Sequence, residues 1–102
     1  EIHLKNMKTI PEPTPGDILL KEFLTPLGIS QYRLAKDTVM PHSRVTRIIK
    51  GEVGISADTA LRLGRYFGTD SQSWLNLQGN YDLHIIREAK KKKLEKIPCI
   101  TA

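Results

Sequence analysis

Residues 30–51, SQYRLAKDTVMPHSRVTRIIKG, leave this chain few folds to choose from, because they read as two short helices joined by a tight turn. Ser30 carries the side-chain oxygen that caps a helix start, and Leu34 and Ala35 fall on the side to be buried. A second helix is expected to open at Pro41, whose fixed φ and missing N–H suit a first helical position. It should bury Val45, Ile48 and Ile49 and end at Gly51. That leaves His42, Ser43, Arg44, Thr46, Arg47 and Lys50 pointing outward. Polar and cationic groups with almost no acid among them match phosphates and base edges better than a protein core. One position resists the pattern. The turn of such a pair usually takes Gly, because its backbone tends to φ > 0, and here the β-branched Val39 stands there. Either the turn is built differently around Val39-Met40-Pro41 or strain is accepted.

The charge supports a nucleic-acid partner only once it is divided along the chain. The net charge is +5. Residues 1–86 hold ten Lys and Arg against nine Asp and Glu, a net of +1, while residues 87–102 hold six against two, a net of +4. Within the nearly neutral body, residues 30–51 carry Arg33, Lys36, Arg44, Arg47 and Lys50 against Asp37 alone. Cations concentrated on one small motif are the footprint expected for phosphates, which supply most sequence-independent affinity.

The flanking segments supply a helical body. Residues 1–13 contain Pro11 and Pro13 without periodicity and are expected to form a flexible arm, with Met7 a candidate natural start and residues 1–6 foreign to the native chain. Thr14-Pro15-Gly16-Asp17 is a helix opening, and Ile18, Leu19, Leu20, Phe23 and Leu24 give that helix a broad apolar face before Pro26, Leu27 and Gly28 close it. Ser56 caps a fourth helix through about Phe67, in which Gly64 is expected to let a neighbouring backbone come close. A fifth starts near Ser71 or Ser73 and can run through the Lys90 to Lys93 stretch to about Ile97, where Pro98 stops it. The expected architecture is all-α, with residues 14–86 as the DNA-binding and dimerisation domain and residues 87–102 as a basic helical extension or tail. No strand pattern emerges. At 102 residues with 39% hydrophobic content, the chain suits a single modest core.

Catalytic and metal chemistry find no foothold. His3, His42 and His84 have no second ligand at helical spacing, Cys99 has no companion, and neither a Gly-rich phosphate loop nor a Gly-x-Ser-x-Gly turn is present. No enzyme activity, cofactor or metal is therefore expected. Nothing in the sequence is apolar enough to span a membrane, no secretory signal pattern is seen, and a lone thiol suits a reducing compartment, so a cytoplasmic protein is expected.

Five blocks carry a resemblance: Pro15-Gly16-Asp17-Ile18-Leu19; Leu27-Gly28-Ile29-Ser30-Gln31 with Leu34-Ala35; Ile55-Ser56-Ala57-Asp58-Thr59-Ala60-Leu61-Arg62-Leu63; Phe67-Gly68-Thr69; and Trp74-Leu75-Asn76-Leu77-Gln78 with Tyr81-Asp82-Leu83. In these the chain resembles the HigA family of antitoxins, within the phage-repressor-like helix-turn-helix superfamily. It departs from that pattern at Val39, at Gly64 and in its lysine-rich C-terminus. The resemblance implies a five-helix phage-repressor-like domain acting as a dimeric repressor, which binds its own operator and neutralises a RelE-like ribonuclease toxin. It also implies base reading from the start and outer face of the second helix of the pair, here His42, Ser43, Arg44 and Arg47, with Thr46 a second-rank candidate. Ser30, Gln31 and Lys50 match positions that grip phosphate. Arg44 and Arg47 share a face, and either could reach guanine O6 and N7 in a bidentate contact or bind phosphate instead. Trp74 and Tyr81 lie seven apart on one helical face, either in the core or, with Leu77, Leu83 and Ile85, in a homodimer seam. A dimer sets two half-sites roughly 10 base pairs apart in an approximate palindrome. A free-standing phage-type repressor without a toxin is the alternative reading. A small basic ribonuclease matches in size and charge, but such enzymes rest on a sheet.

Overall fold

A computed structural model of the chain describes residues 12–101, so the expected arm and the residues before Met7 lie almost wholly outside it. Among the described residues every regular element is a helix. Six are present, the sixth only five residues long. They divide into two compact units between Gly54 and Ile55.

The first unit begins with a capping box. Thr14 Oγ1 accepts from the Asp17 N–H and Asp17 Oδ2 accepts from the Thr14 N–H, both at 3.1 Å, which satisfies two amides that a helix start leaves open. Helix α1 follows in three contiguous stretches, Pro15–Ile18, a π-helical Leu19–Leu24, and Thr25–Leu27. It therefore runs past Leu24 and takes Pro26, expected to close it, into its last turn. Pro26 cannot donate to the Glu22 carbonyl, and in an α-helix its ring would press on that oxygen. The preceding turn is wound wider, so that the Thr25 N–H reaches Leu20 O, five residues back. Helix α2 spans Gln31–Thr38 and α3 spans His42–Ile49. Pro41 is not the first helical residue of α3. With φ −57° and ψ 138° it stands one position earlier, as N-cap, and its carbonyl accepts from the Arg44 N–H at 3.0 Å. Leu19, Leu24, Leu34, Ala35, Met40, Val45 and Ile48 make the core. Ile49, expected inside, is half-buried.

Gly16 fixes how α1 meets α3. A Cβ at this residue would overlap the Ile48 carbonyl oxygen and lie 2.7 Å from the carbonyl carbon, so only glycine lets the first turn of α1 rest directly on the backbone at the end of α3.

Four helices end in the same way. At the close of α1, α2 and α3, the amide two residues beyond the last carbonyl-capped position turns back across the helix end: Ile29 to Leu24 O, Met40 to Ala35 O and Glu52 to Arg47 O, each at 2.9 Å. The fourth helix, α4 (Ala57–Phe67), closes with Thr69 to Gly64 O at 3.0 Å. This motif needs one residue in the left-handed region, and Gly28, Gly51 and Gly68 supply it with φ of 65°, 76° and 67°. At the end of α2 the residue is Val39, with φ 56° and ψ 46°. Of the two alternatives open in the sequence, strain is the one adopted. Met40, the next residue, is buried with only 6% of its surface exposed, and its amide makes the returning bond, so the turn is held from inside while Val39 projects outward at 78% exposure.

The second unit packs α4 against α5 (Ser71–Ala89). Ser56 Oγ accepts from the Thr59 N–H at 3.2 Å to open α4, and Asp70 caps α5. Ile55, Ala60, Leu63 and Trp74 are buried with Thr59. Gly64 makes the close approach expected of it, since a Cβ there would run into Ser71 Oγ and sit 2.9 Å from the Thr69 carbonyl oxygen. The Ile55 N–H donates to Gln78 Oε1 at 2.8 Å, tying the start of the unit to the middle of α5. The continuous helix drawn to about Ile97 is broken at Lys90 (φ −116°, ψ 22°), after which α6 occupies Lys91–Glu95. Among the described residues none from position 75 onward is fully buried, so no packing holds the end of α5 and α6 in one register.

Gly16→Ala is expected to destabilise the fold by about 3 kcal/mol through overpacking against backbone, read as a lower urea midpoint. An unchanged midpoint contradicts the contact. Val39→Gly is expected to gain about 1 kcal/mol by relieving the left-handed valine, since little burial is lost at so exposed a site; a midpoint equal to or below that of the parent protein contradicts it.

Candidate nucleic-acid interface

The sequence of α3 sorts its side chains by period. Val45 and Ile48 face inward at 0% and 2% exposure, so Ser43, Arg47 and Lys50, at spacings of four and three, emerge together on the opposite side. His42 is exposed at the first position of the helix, and Arg44 and Thr46 are half-buried on its flanks. No acidic residue occurs within α3. A helix anchored from below by Gly16 and the core thus presents a hydroxyl, an imidazole and cations on one open surface. This face can donate hydrogen bonds to phosphate oxygens and to the acceptor atoms of guanine, and it carries no acid to repel them.

Helix α2 frames that surface. Ser30 Oγ accepts from the Arg33 N–H at 3.0 Å and so serves as the N-cap, while Gln31 is half-buried at the first helical position. Arg33 Nε lies 3.3 Å from Asp37 Oδ2 on the exposed side of α2. This pair draws one of the five local cations into an internal contact; Lys36 is a second cation on α2, and Arg44, Arg47 and Lys50 are those of α3 and its C-cap. Tyr32, which the sequence reading passed over, is 68% exposed and stands with its ring centroid 6.2 Å from that of His42, the planes tilted by 55°. The available signal was its place on the first turn of α2, between the cap and the buried Leu34.

The second group of singled-out residues lies on α5 and differs in burial along the helix. Trp74 is 3% exposed, donates from Nε1 to Thr69 Oγ1 at 2.8 Å and sits 6.3 Å from the Phe67 ring, so of the two readings open in the sequence it takes the core of its own unit. Leu77 and Tyr81 are half-buried. Leu83 and Ile85 are exposed at 59% and 40%, and Ile86, not singled out in the sequence, joins them at 48%. The outward apolar surface therefore lies further along α5 than the Trp74 block. Among the described residues no helix is long and apolar enough to cross a membrane.

Comparison with known proteins places this geometry. A helix-turn-helix family model matches residues 20–74, which include all of α2, α3 and α4. The chain is 49% identical over 82 residues to virulence-associated protein I of Dichelobacter nodosus, covering 80% of this chain and 76% of that protein. Among solved structures, the Pseudomonas aeruginosa antitoxin HigA with the higBA promoter superposes with a TM-score of 0.83 at 41% identity, covering 87% of this chain and 99% of that one. An addiction module antidote protein of a HigA family from Coxiella burnetii gives 0.81 at 41% identity, with 88% and 98% covered.

Proposed function

Because the chain belongs to the helix-turn-helix proteins and, among them, to the HigA antitoxins, a family of DNA-binding regulators and not of enzymes, we propose that it is the cytoplasmic antitoxin of a type II pair. In this reading it represses its own operon as a homodimer and neutralises a RelE-like ribonuclease toxin. The observation that carries it is the outer face of α3, where His42, Ser43, Arg47 and Lys50 are exposed on a helix whose other side is locked into the core. A relative of similar fold was solved with promoter DNA. Arg47 and Arg44 are the base-reading cations, His42 and Ser43 read at the start of the helix, and Thr46 assists. Ser30, Gln31 and Lys50 position the phosphate backbone. The dimer seam draws on Leu83 and Ile85 with the exposed Ile86, and on the half-buried Leu77 and Tyr81.

A gel-shift titration on duplex from upstream of the operon, at two salt concentrations, tests the DNA arm. Arg47→Ala is expected to weaken binding by about 1–3 kcal/mol, roughly five- to 150-fold, and to relax base preference. Retained affinity and preference would remove α3 as the reading helix. Co-purification with the product of the adjacent gene tests the toxin arm, and failure to bind leaves a free-standing repressor. Leu83→Glu is expected to convert the dimer to a monomer in sedimentation equilibrium while the helical signal stays intact; an unaltered dimer moves the seam elsewhere.

A further inference from the structure

Tyr32 and His42 sit on different helices yet face each other across the turn, and neither is needed to close the core. Tyr32 is 68% exposed and His42 is exposed, so their contact buries little surface and contributes little to folding. The backbone on both sides is fixed. Ser30 caps the start of α2 just ahead of Tyr32, Pro41 with its locked φ precedes His42, and the left-handed Val39 sets the path between them. The ring-to-ring distance of 6.2 Å and the 55° tilt are within the range in which aromatic rings attract edge to face. A histidine alone on the first turn of a helix can swing among its rotamers, and ordering it on a ligand costs conformational entropy. A tyrosine ring beside it removes part of that freedom beforehand.

We propose that Tyr32 is a specificity-determining residue, acting as a positioning residue that holds the His42 imidazole toward one base edge in the major groove of duplex DNA. The base preference at that step then belongs to the Tyr32–His42 pair and not to His42 alone. This rests on the reading of α3 as the helix that enters the groove. It adds a residue of α2 to the discrimination, through its ring and not through its hydroxyl. Tyr32→Phe, which keeps the ring, should therefore behave as the parent protein does.

The test is selection from a randomised duplex pool by the full chain and by four variants: Tyr32→Ala, Tyr32→Phe, His42→Ala and the double Tyr32→Ala/His42→Ala. Affinities are then measured on the duplex that the parent protein selects. Ala is a strong helix former at this exposed position, and an unchanged thermal midpoint checks that each variant folds. Tyr32→Ala and His42→Ala are expected to lose preference at the same base pair of each half-site. Tyr32→Ala should weaken binding about three- to tenfold, the double variant should be no weaker than His42→Ala, and Tyr32→Phe should keep both preference and affinity. Retained preference in Tyr32→Ala, or losses that multiply in the double variant, overturn the inference while leaving α3 as the reader. A parent protein that selects no sequence at all overturns the DNA reading itself, and this inference with it.

Discussion

The missing Cβ of Gly16 is the constraint from which the first unit is built. Helix α3 can present its polar face only if its apolar face is seated, and part of that seat is main chain: the first turn of α1 lies on the Ile48 carbonyl with no side chain between them. The same four residues, Thr14-Pro15-Gly16-Asp17, open α1. Thr14 and Asp17 satisfy each other's amides, Pro15 has no amide to satisfy at the first position, and Gly16 makes the close approach. Helix initiation and tertiary docking are therefore solved by one tetrapeptide. The orientation of Arg47 and Ser43 is inherited from a contact on the far side of the helix.

The helix ends show how the chain divides its conformational costs. Glycine takes the left-handed position after α1, α3 and α4, where any other residue would be strained. After α2 the same motif is imposed on Val39 by the burial of Met40 and the bond from its amide to Ala35 O. That turn is the one that separates α2 from α3, and it sets how Tyr32 stands relative to His42. Strain tolerated there and nowhere else among these four ends marks the turn as a place where geometry was kept at the expense of stability.

Most of the helical architecture was legible because its signals are local. Caps at Thr14, Ser30 and Ser56, apolar residues at three- and four-residue spacing, and glycines at helix ends all act within a few residues. The departures have equally definite causes. Pro26 was read as a stop, yet a helix can absorb it by widening to i−5 bonds, which no spacing rule in the sequence announces. Helix α5 broke at Lys90 because periodicity predicts a helix without saying what holds it, and nothing is buried there. For the candidate site, the outward residues of α3 followed from the period of Val45 and Ile48. Trp74 was left open between core and seam, and Tyr32 was missed, because sequence position tells which face a ring is on but not what covers that face. Trp74 finds Thr69 and Phe67, while Tyr32 faces another exposed ring.

The Arg33–Asp37 pair carries a kinetic consequence. Asp37 offsets one of the two cations of α2, Arg33 and Lys36, so Arg44, Arg47 and Lys50 give α3 and its C-cap the larger share of the positive charge of the helix pair. A polyanion approaching from a distance meets a field that is lopsided and not merely attractive, so it exerts a torque as well as a pull. A small ion pair on the neighbouring helix, worth little to stability at its degree of exposure, thus belongs to the charge asymmetry of the helix pair.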